Sequence, residues 1–307
     1  MSRRWIAPLV VACALAAPAS ASAHARNATV ALDYRVELDR PAPGVSVAVL
    51  DGDRDLRVRV RGGTLVLRGD LDEPMVRIGP RGAWANRAST TAVAERLVSP
   101  GHGWRRLSHR PELVWHEHRL SPPPYADSPT GRVARFVIPG ELDGRKVTLS
   151  GSFVRVRRPS PWPWLAAAAA AAAAVAGLLL LRPRLRQTAA VLLGAGAGAA
   201  ALAAFVSFTT ADATTGRVAW GQIAVAALFA AGLAAAFVRL RGARRSHLAG
   251  VVGAGAAALT LGSLGVFRHG VVVSSLPAPG ARALCALALV AGVAALATSF
   301  AVKEART

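Results

Sequence analysis

The residues with the greatest chemical capacity here are two histidines one position apart, in the segment Trp115-His116-Glu117-His118-Arg119. On a β-strand successive side chains alternate faces. His116 and His118 then project on one side, and Trp115 and Glu117 on the other. Two imidazoles pointing the same way can share a metal ion. A third histidine enters through processing. His24 follows the small-residue run Ala19-Ser20-Ala21-Ser22-Ala23, and cleavage after Ala23 makes it the mature N-terminus. Its α-amine and ring nitrogen would chelate one ion together. One imidazole from His116 or His118 would complete a T-shaped, three-nitrogen site suited to Cu(II), a histidine brace. Glu117 is placed to orient a ligand from behind, or to pair with Arg119 or another arginine. Trp115 and Arg119 are expected to support the site or to contact a partner. His102 and His109, in the region 101–110, are expected to be solvated surface residues.

The position of His24 depends on a targeting segment. Arg3 and Arg4 are a positive start, Trp5 to Ala17 an apolar run, and Pro18 a helix breaker. Residues 1–23 therefore read as a cleavable signal peptide. Cuts after Ala21 or Ala25 satisfy the same small-residue rule. Cys13 lies within the signal peptide and Cys285 within the last apolar stretch. The exported part thus has no cysteine for a disulfide, a thiolate metal site or a catalytic thiol.

Residues 24–158 carry short alternating runs between turn signals, which predict an exported all-β sandwich of Ig-like type. Strands are expected over 28–38, 45–50, 56–60, 64–67, 75–78, 83–86, 113–118, 133–138 and 146–156. Gly62-Gly63 is expected to close a hairpin between 56–60 and 64–67, and Asp51-Gly52 and Asp143-Gly144 to make turns. Residues 88–99 read as a short helix or a long loop.

Residues 159–307 change character to Ala, Leu, Val and Gly. Five stretches, 162–181, 188–208, 220–238, 247–267 and 281–302, are long and apolar enough to span a bilayer. The chain therefore reads as α+β overall, the β-domain preceding an all-α transmembrane bundle of about five helices. Arg182, Arg184 and Arg186 follow the first stretch. Arg239, Arg241, Arg244 and Arg245 follow the third, and Lys303 and Arg306 the fifth. The positive-inside rule places these loops and the C-terminus in the cytoplasm, and the β-domain outside. Gly194 and Gly198, four apart, are expected to let helices approach closely.

Several function classes fall away. The net charge of +20 would suggest nucleic acid in a soluble protein, but an exported domain rarely meets it, so no nucleic-acid partner is expected. Arg57, Arg59 and Arg61 alternate on one strand and read as a solvated face able to meet anionic headgroups. The segment 194–198 follows no strand and lacks the Lys-Ser/Thr of a phosphate loop. No hydrolase, metalloprotease or nucleotide-binding motif occurs, so no enzyme is expected. The span centres carry no acidic or basic side chain, which argues against an ion-coupled transporter.

A longer pattern is specific in combination. Glu73-Pro74-Met75-Val76-Arg77-Ile78-Gly79-Pro80-Arg81-Gly82, followed by Asn86-Arg87, resembles a signature of actinobacterial multi-pass membrane proteins with an exported domain and no assigned activity. The upstream segment from Pro43-Gly44 to Asp51-Gly52-Asp53, then Trp104-Arg105-Arg106 and Trp115–Arg119, match theirs too. Relatives often continue with a further His and Trp, where this chain has Leu120-Ser121-Pro122. A start at His24-Ala25 on a small β-domain with a membrane partner is also similar to CopC-type copper-binding proteins.

The expected function is thus a membrane-tethered extracytoplasmic metal-binding protein, handling copper through His24 with His116 or His118. The alternative is an envelope module that binds a protein partner without metal. A transporter component is the third reading.

Overall fold

Alternation of apolar and polar residues builds most of the N-terminal part. The computed structural model describes residues 31–50, 55–123, 129–211 and 220–304. Strands β1 (Ala31–Leu32), β2 (Tyr34–Leu38), β3 (Val45–Leu50), β4 (Asp55–Val60), β5 (Leu65–Arg68), β6 (Pro74–Gly79) and β7 (Gly82–Asn86) come first. A short helix α1 (Thr90–Ala94) follows, then β8 (Trp104–Ser108), β9 (Glu112–His116), β10 (Gly131–Leu142) and β11 (Arg145–Arg155). A seven-stranded sheet has the order β2-β11-β10-β5-β6-β7-β8, and a three-stranded sheet the order β3-β4-β9. Every pairing is antiparallel.

The two sheets share one hydrophobic core. Leu56, Val58, Leu113 and Trp115 come from the smaller sheet, and Leu65, Leu67, Met75, Ile78, Phe136 and Phe153 from the larger. Burying each large apolar side chain contributes roughly 1.5–3 kcal/mol before conformational entropy is counted.

One expected hairpin is corrected. Gly62-Gly63 does not pair the strands on either side of it. β4 pairs with β3 and β9, whereas β5 pairs with β6 and β10. The turn carries the chain from one sheet to the other. Asp143 sets this course: its Oδ1 accepts from the Thr64 amide at 2.8 Å, and its carboxylate fills the space a Cβ on Gly63 would need. Gly63 also has φ +77°, a conformation glycine adopts without strain. Asp143-Gly144 does close a two-residue hairpin between β10 and β11, with positive φ at both residues. The Asp51-Gly52 turn lies outside the described residues. β9 stops at His116 rather than running to 118.

The C-terminal part is helical: α2 (Trp162–Leu181), α3 (Arg186–Ala211), α4 (Trp220–Arg239), α5 (Gly242–Leu261) and α6 (Ala278–Glu304). Three described helices, α3, α4 and α6, are long and apolar enough to cross a membrane, and α2 holds a shorter apolar stretch, Trp162–Gly177. The fourth expected span, 247–267, is divided: α5 ends at Leu261 and a 3-10 turn covers Leu264–Phe267. Gly194 packs against the Ala249 backbone. A Cβ on Gly253 would stand 2.7 Å from the Gly292 carbonyl oxygen. Small residues thus bring α3, α5 and α6 together, as helices in lipid require.

The two parts are joined by more than the chain between them. β1 pairs with β12 (Val271–Val272), in the connection between α5 and α6. Ala31 is buried with Ala204, Val266 and Cys285 of the helical part. The nearly buried Asp33 carboxylate accepts from Arg158 at 2.8 Å and lies 3.1 Å from His269 Nδ1. Burial works against the Asp33 charge. The Arg158 and His269 partners outweigh it and hold the pKa below its ordinary value.

Candidate metal centre

His118 lies two positions beyond the end of β9. The strand ends because Glu117, still extended, caps a 3-10 turn (His118–Leu120) by accepting from the Arg119 amide. Alternation persists to that point: Trp115 and Glu117 are buried, and His116 and His118 are exposed. The two imidazoles then meet different neighbours. His116, 62% exposed, has Asp55 at 3.9 Å. His118 sits among carboxylates, and the group His118, Glu95 and Glu117 places one ligand atom of each within 4.8 Å of the others.

Each carboxylate has its own positioning. Glu95 is the C-cap of α1. That helix starts at Ser89, whose hydroxyl accepts from the Ala92 amide at 3.0 Å. Glu73 secures this start, accepting from the Ser89 hydroxyl at 2.7 Å and the Thr91 amide at 3.1 Å. Thr91 in turn accepts from the Asp70 amide at 2.9 Å, which ties the β5–β6 loop to α1. Glu73 is therefore a scaffold residue. It anchors the helix that delivers Glu95 and the loop that delivers Asp70. Desolvation alone would raise its pKa, but the Ser89 and Thr91 donors and its own amide outweigh that and hold it at about 2.

Glu117 is fully occupied. Its side chain, 0% exposed, takes Arg119 Nε at 2.6 Å on one oxygen, and an Arg119 terminal nitrogen at 2.9 Å on the other. Trp115 Nε1 donates to that second oxygen at 3.0 Å. Arg119 also donates to the Arg68 carbonyl at 3.1 Å, fastening the turn to β5. With Arg119 forked onto it, Glu117 acts as an anchor for the turn. Trp115 supports it from the core and presents no surface to a partner.

His118 remains as the candidate ligand. Its Nδ1 meets Glu95 Oε1, which also accepts from the His118 amide at 2.9 Å. Its Nε2 lies 3.0 Å from Asp70 Oδ2. A neutral imidazole has one N–H and cannot donate to both carboxylates. Either a second proton or a cation at one nitrogen resolves the mismatch. With a metal at Nδ1 and Glu95 beside it, the Nε2–H would donate to Asp70, the carboxylate–histidine–metal arrangement that orients ligating imidazoles. Metal bonds of about 2.0–2.2 Å put two ligands on one ion at most ~4.4 Å apart. His118 Nδ1 and Glu95 Oε1 already meet within that span and can share one ion after small side-chain shifts.

His24, the expected brace residue, lies outside the described residues. His102 and His109 are exposed and are not part of the cluster. Asp70 and Glu95 were not singled out by sequence. They stand 48 and 23 positions before His118, and neither carries a local motif. Compared with protein-family models, curated proteins and solved structures, the chain matches none.

Proposed function

We propose that this protein is a membrane-anchored, extracytoplasmic metal-binding protein that holds Cu(II) at His118. The observation that carries the reading is His118 itself, with Glu95 at Nδ1 and Asp70 at Nε2. Glu95 supplies an oxygen ligand, and Asp70 sets the tautomer that leaves Nδ1 free to ligate. The amine and imidazole of His24 complete a nitrogen-rich site of the kind Cu(II) prefers.

Tyr34, ten positions after His24, donates its hydroxyl to the carbonyl of Pro123, five positions after His118, at 2.9 Å. The start of β2 therefore stands close in space to the segment that follows the His118 turn.

The β-domain is proposed to be an Ig-like sandwich on a bundle of about five spans, with the N-terminus outside. Pairing of β1 with the α5–α6 connection supports this topology. Both elements must be on the same side of the membrane, the side the loop charges assign to the exterior. The resemblance to actinobacterial exported-domain proteins agrees with this layout.

The test uses the mature full-length protein in detergent, its N-terminus read by mass spectrometry. Titration against a competing chelator should show about one Cu(II) per chain, with electron paramagnetic resonance reporting nitrogen ligands. His118→Ala should abolish tight binding, and His24→Ala should remove two nitrogens from the spectrum. Binding unaffected by His118→Ala overturns the reading. A mature terminus other than His24 removes the brace and leaves the His118–Glu95 pair to be tested alone.

A further inference from the structure

The arginines of the β-domain divide into two populations. Arg68, Arg119, Arg135 and Arg158 each meet a carboxylate. Between positions 77 and 110 the sequence has seven arginines and a single acid, Glu95. The Glu95 side chain is 4% exposed and is taken by His118. Within this stretch Arg77, Arg81, Arg105, Arg106 and Arg110 form no ion pair with a carboxylate among the described residues.

These charges are organised by the sheet. Val76, Ile78, Ala83 and Ala85 point into the core, so Arg77 and Trp84 stand on the opposite face. Arg77, Trp84 and Arg106 are directly opposite one another across β6, β7 and β8. The Arg77 guanidinium lies 4.8 Å from the Trp84 ring centre and 4.9 Å from that of Trp104. Arg106 stacks on Trp84 as well, at 5.2 Å. The result is a ladder, Trp104–Arg77–Trp84–Arg106, that ends on β8, one of the two edge strands of the seven-stranded sheet. Arg81, in the β6–β7 turn, and Arg110, just after β8, extend the charge at one end. Gly82 sits against the Ser108 carbonyl there and holds the two segments together.

Stacking engages the π face of a guanidinium and leaves its in-plane N–H donors directed outward. Indole walls fix those donors in place, so little side-chain entropy is lost when an anion arrives. Arg77 and Arg106 are two strands apart, about 10 Å at ~4.8 Å per strand. An outer sheet face offers rows of donors rather than a concave pocket. Donors in a row on such a face suit an anion whose charges repeat along a chain. A phosphodiester backbone has that form. It stays ionised wherever the protein is folded, and its two free oxygens accept the arginine fork.

We propose that this face of β6, β7 and β8 is a docking surface for an extended phosphate-bearing polymer, and that Arg77 and Arg106 are its principal contacts. The surface involves none of the residues assigned to the metal centre.

The experiment uses full-length protein in neutral detergent and surface-immobilised inorganic polyphosphate as the probe. The Arg77→Ala/Arg106→Ala double variant should lose at least tenfold in affinity. Arg59→Ala/Arg61→Ala removes the same charge from the other sheet and should lose less than twofold. Trp104→Ala keeps every charge but removes one wall of the Arg77 clamp, and should weaken binding several-fold. Arg106→Ser on this edge strand tests the same face if the double variant melts at a lower temperature than wild type; it too should weaken binding several-fold. Equal losses in the two double variants would show attraction to net charge alone and overturn the proposal. So would unchanged binding by Arg106→Ser, absence of polyphosphate binding, or equally tight binding of poly-glutamate.

Discussion

His118 Nε2 lies 3.0 Å from Asp70 Oδ2 although 48 residues separate them in the chain. The contact exists because the β5–β6 loop is tied to α1 through the Asp70 amide and the Thr91 hydroxyl. Asp70→Asn keeps the size of the side chain and removes its charge. The imidazole is then oriented less firmly, and Cu(II) affinity should fall about 10- to 100-fold, the usual cost of losing a carboxylate behind a ligating histidine. Competitive chelator titration measures this, and the melting temperature should barely change.

Glu117→Gln should act on stability instead. It breaks a buried, forked pair and leaves Arg119 without its carboxylate. A loss of ~3–5 kcal/mol is expected for such a break, read by chemical unfolding. Near-ultraviolet circular dichroism should change too, because the Trp115 indole loses its charged acceptor.

Glu73 makes the domain sensitive to acid. Its pKa is held at about 2, against 4.5 for the free group. A depressed folded value means that the unfolded chain takes up the proton first. The stabilisation is therefore complete above pH 4.5 and is lost as pH falls toward about 2. Glu73→Gln should be less stable than wild type at neutral pH. The difference should shrink through that window, as melting curves recorded from pH 6 down to ~2 would report.

Helix packing in the bundle should depend on glycine only where backbones meet. Gly253→Leu would force side-chain atoms into the Gly292 backbone and should destabilise the detergent-solubilised protein by ~1–3 kcal/mol. Gly232 has open space around it. A substitution to alanine there should be neutral or slightly favourable, as helix propensity dictates. Thermal stability of the two variants separates them.

Leu32 and Val271 are Cα partners in the short pairing of β1 with β12. Cysteines at both positions should form a disulfide on mild oxidation, seen as a mobility shift reversed by reductant. Cys285 is buried and should not compete. Failure to cross-link would mean that the β-domain does not dock on this connection.

Local pattern made much of the architecture readable. β3 matches its expected bounds, and the strands expected over 75–78 and 83–86 are present and pair with each other. The exposed setting of His116 and His118 follows from alternation alone. The Gly62-Gly63 turn differs from the expected hairpin because a glycine pair permits a reversal without saying which sheet the next strand joins. Asp143, 79 positions after Thr64, decides that.

The sequence by itself determined the division into a β-rich part and apolar helices, the faces of the strands, and the presence of imidazoles in one short segment. Each depends on neighbours within a few positions, where backbone periodicity acts. Only the tertiary structure decided that His118, and not His116, meets Glu95 and Asp70, and that Glu117 is consumed by Arg119 and Trp115. Those outcomes depend on how sheet order and the Glu73-anchored helix bring distant segments together. Long-range packing sets that order, and no local spacing encodes it.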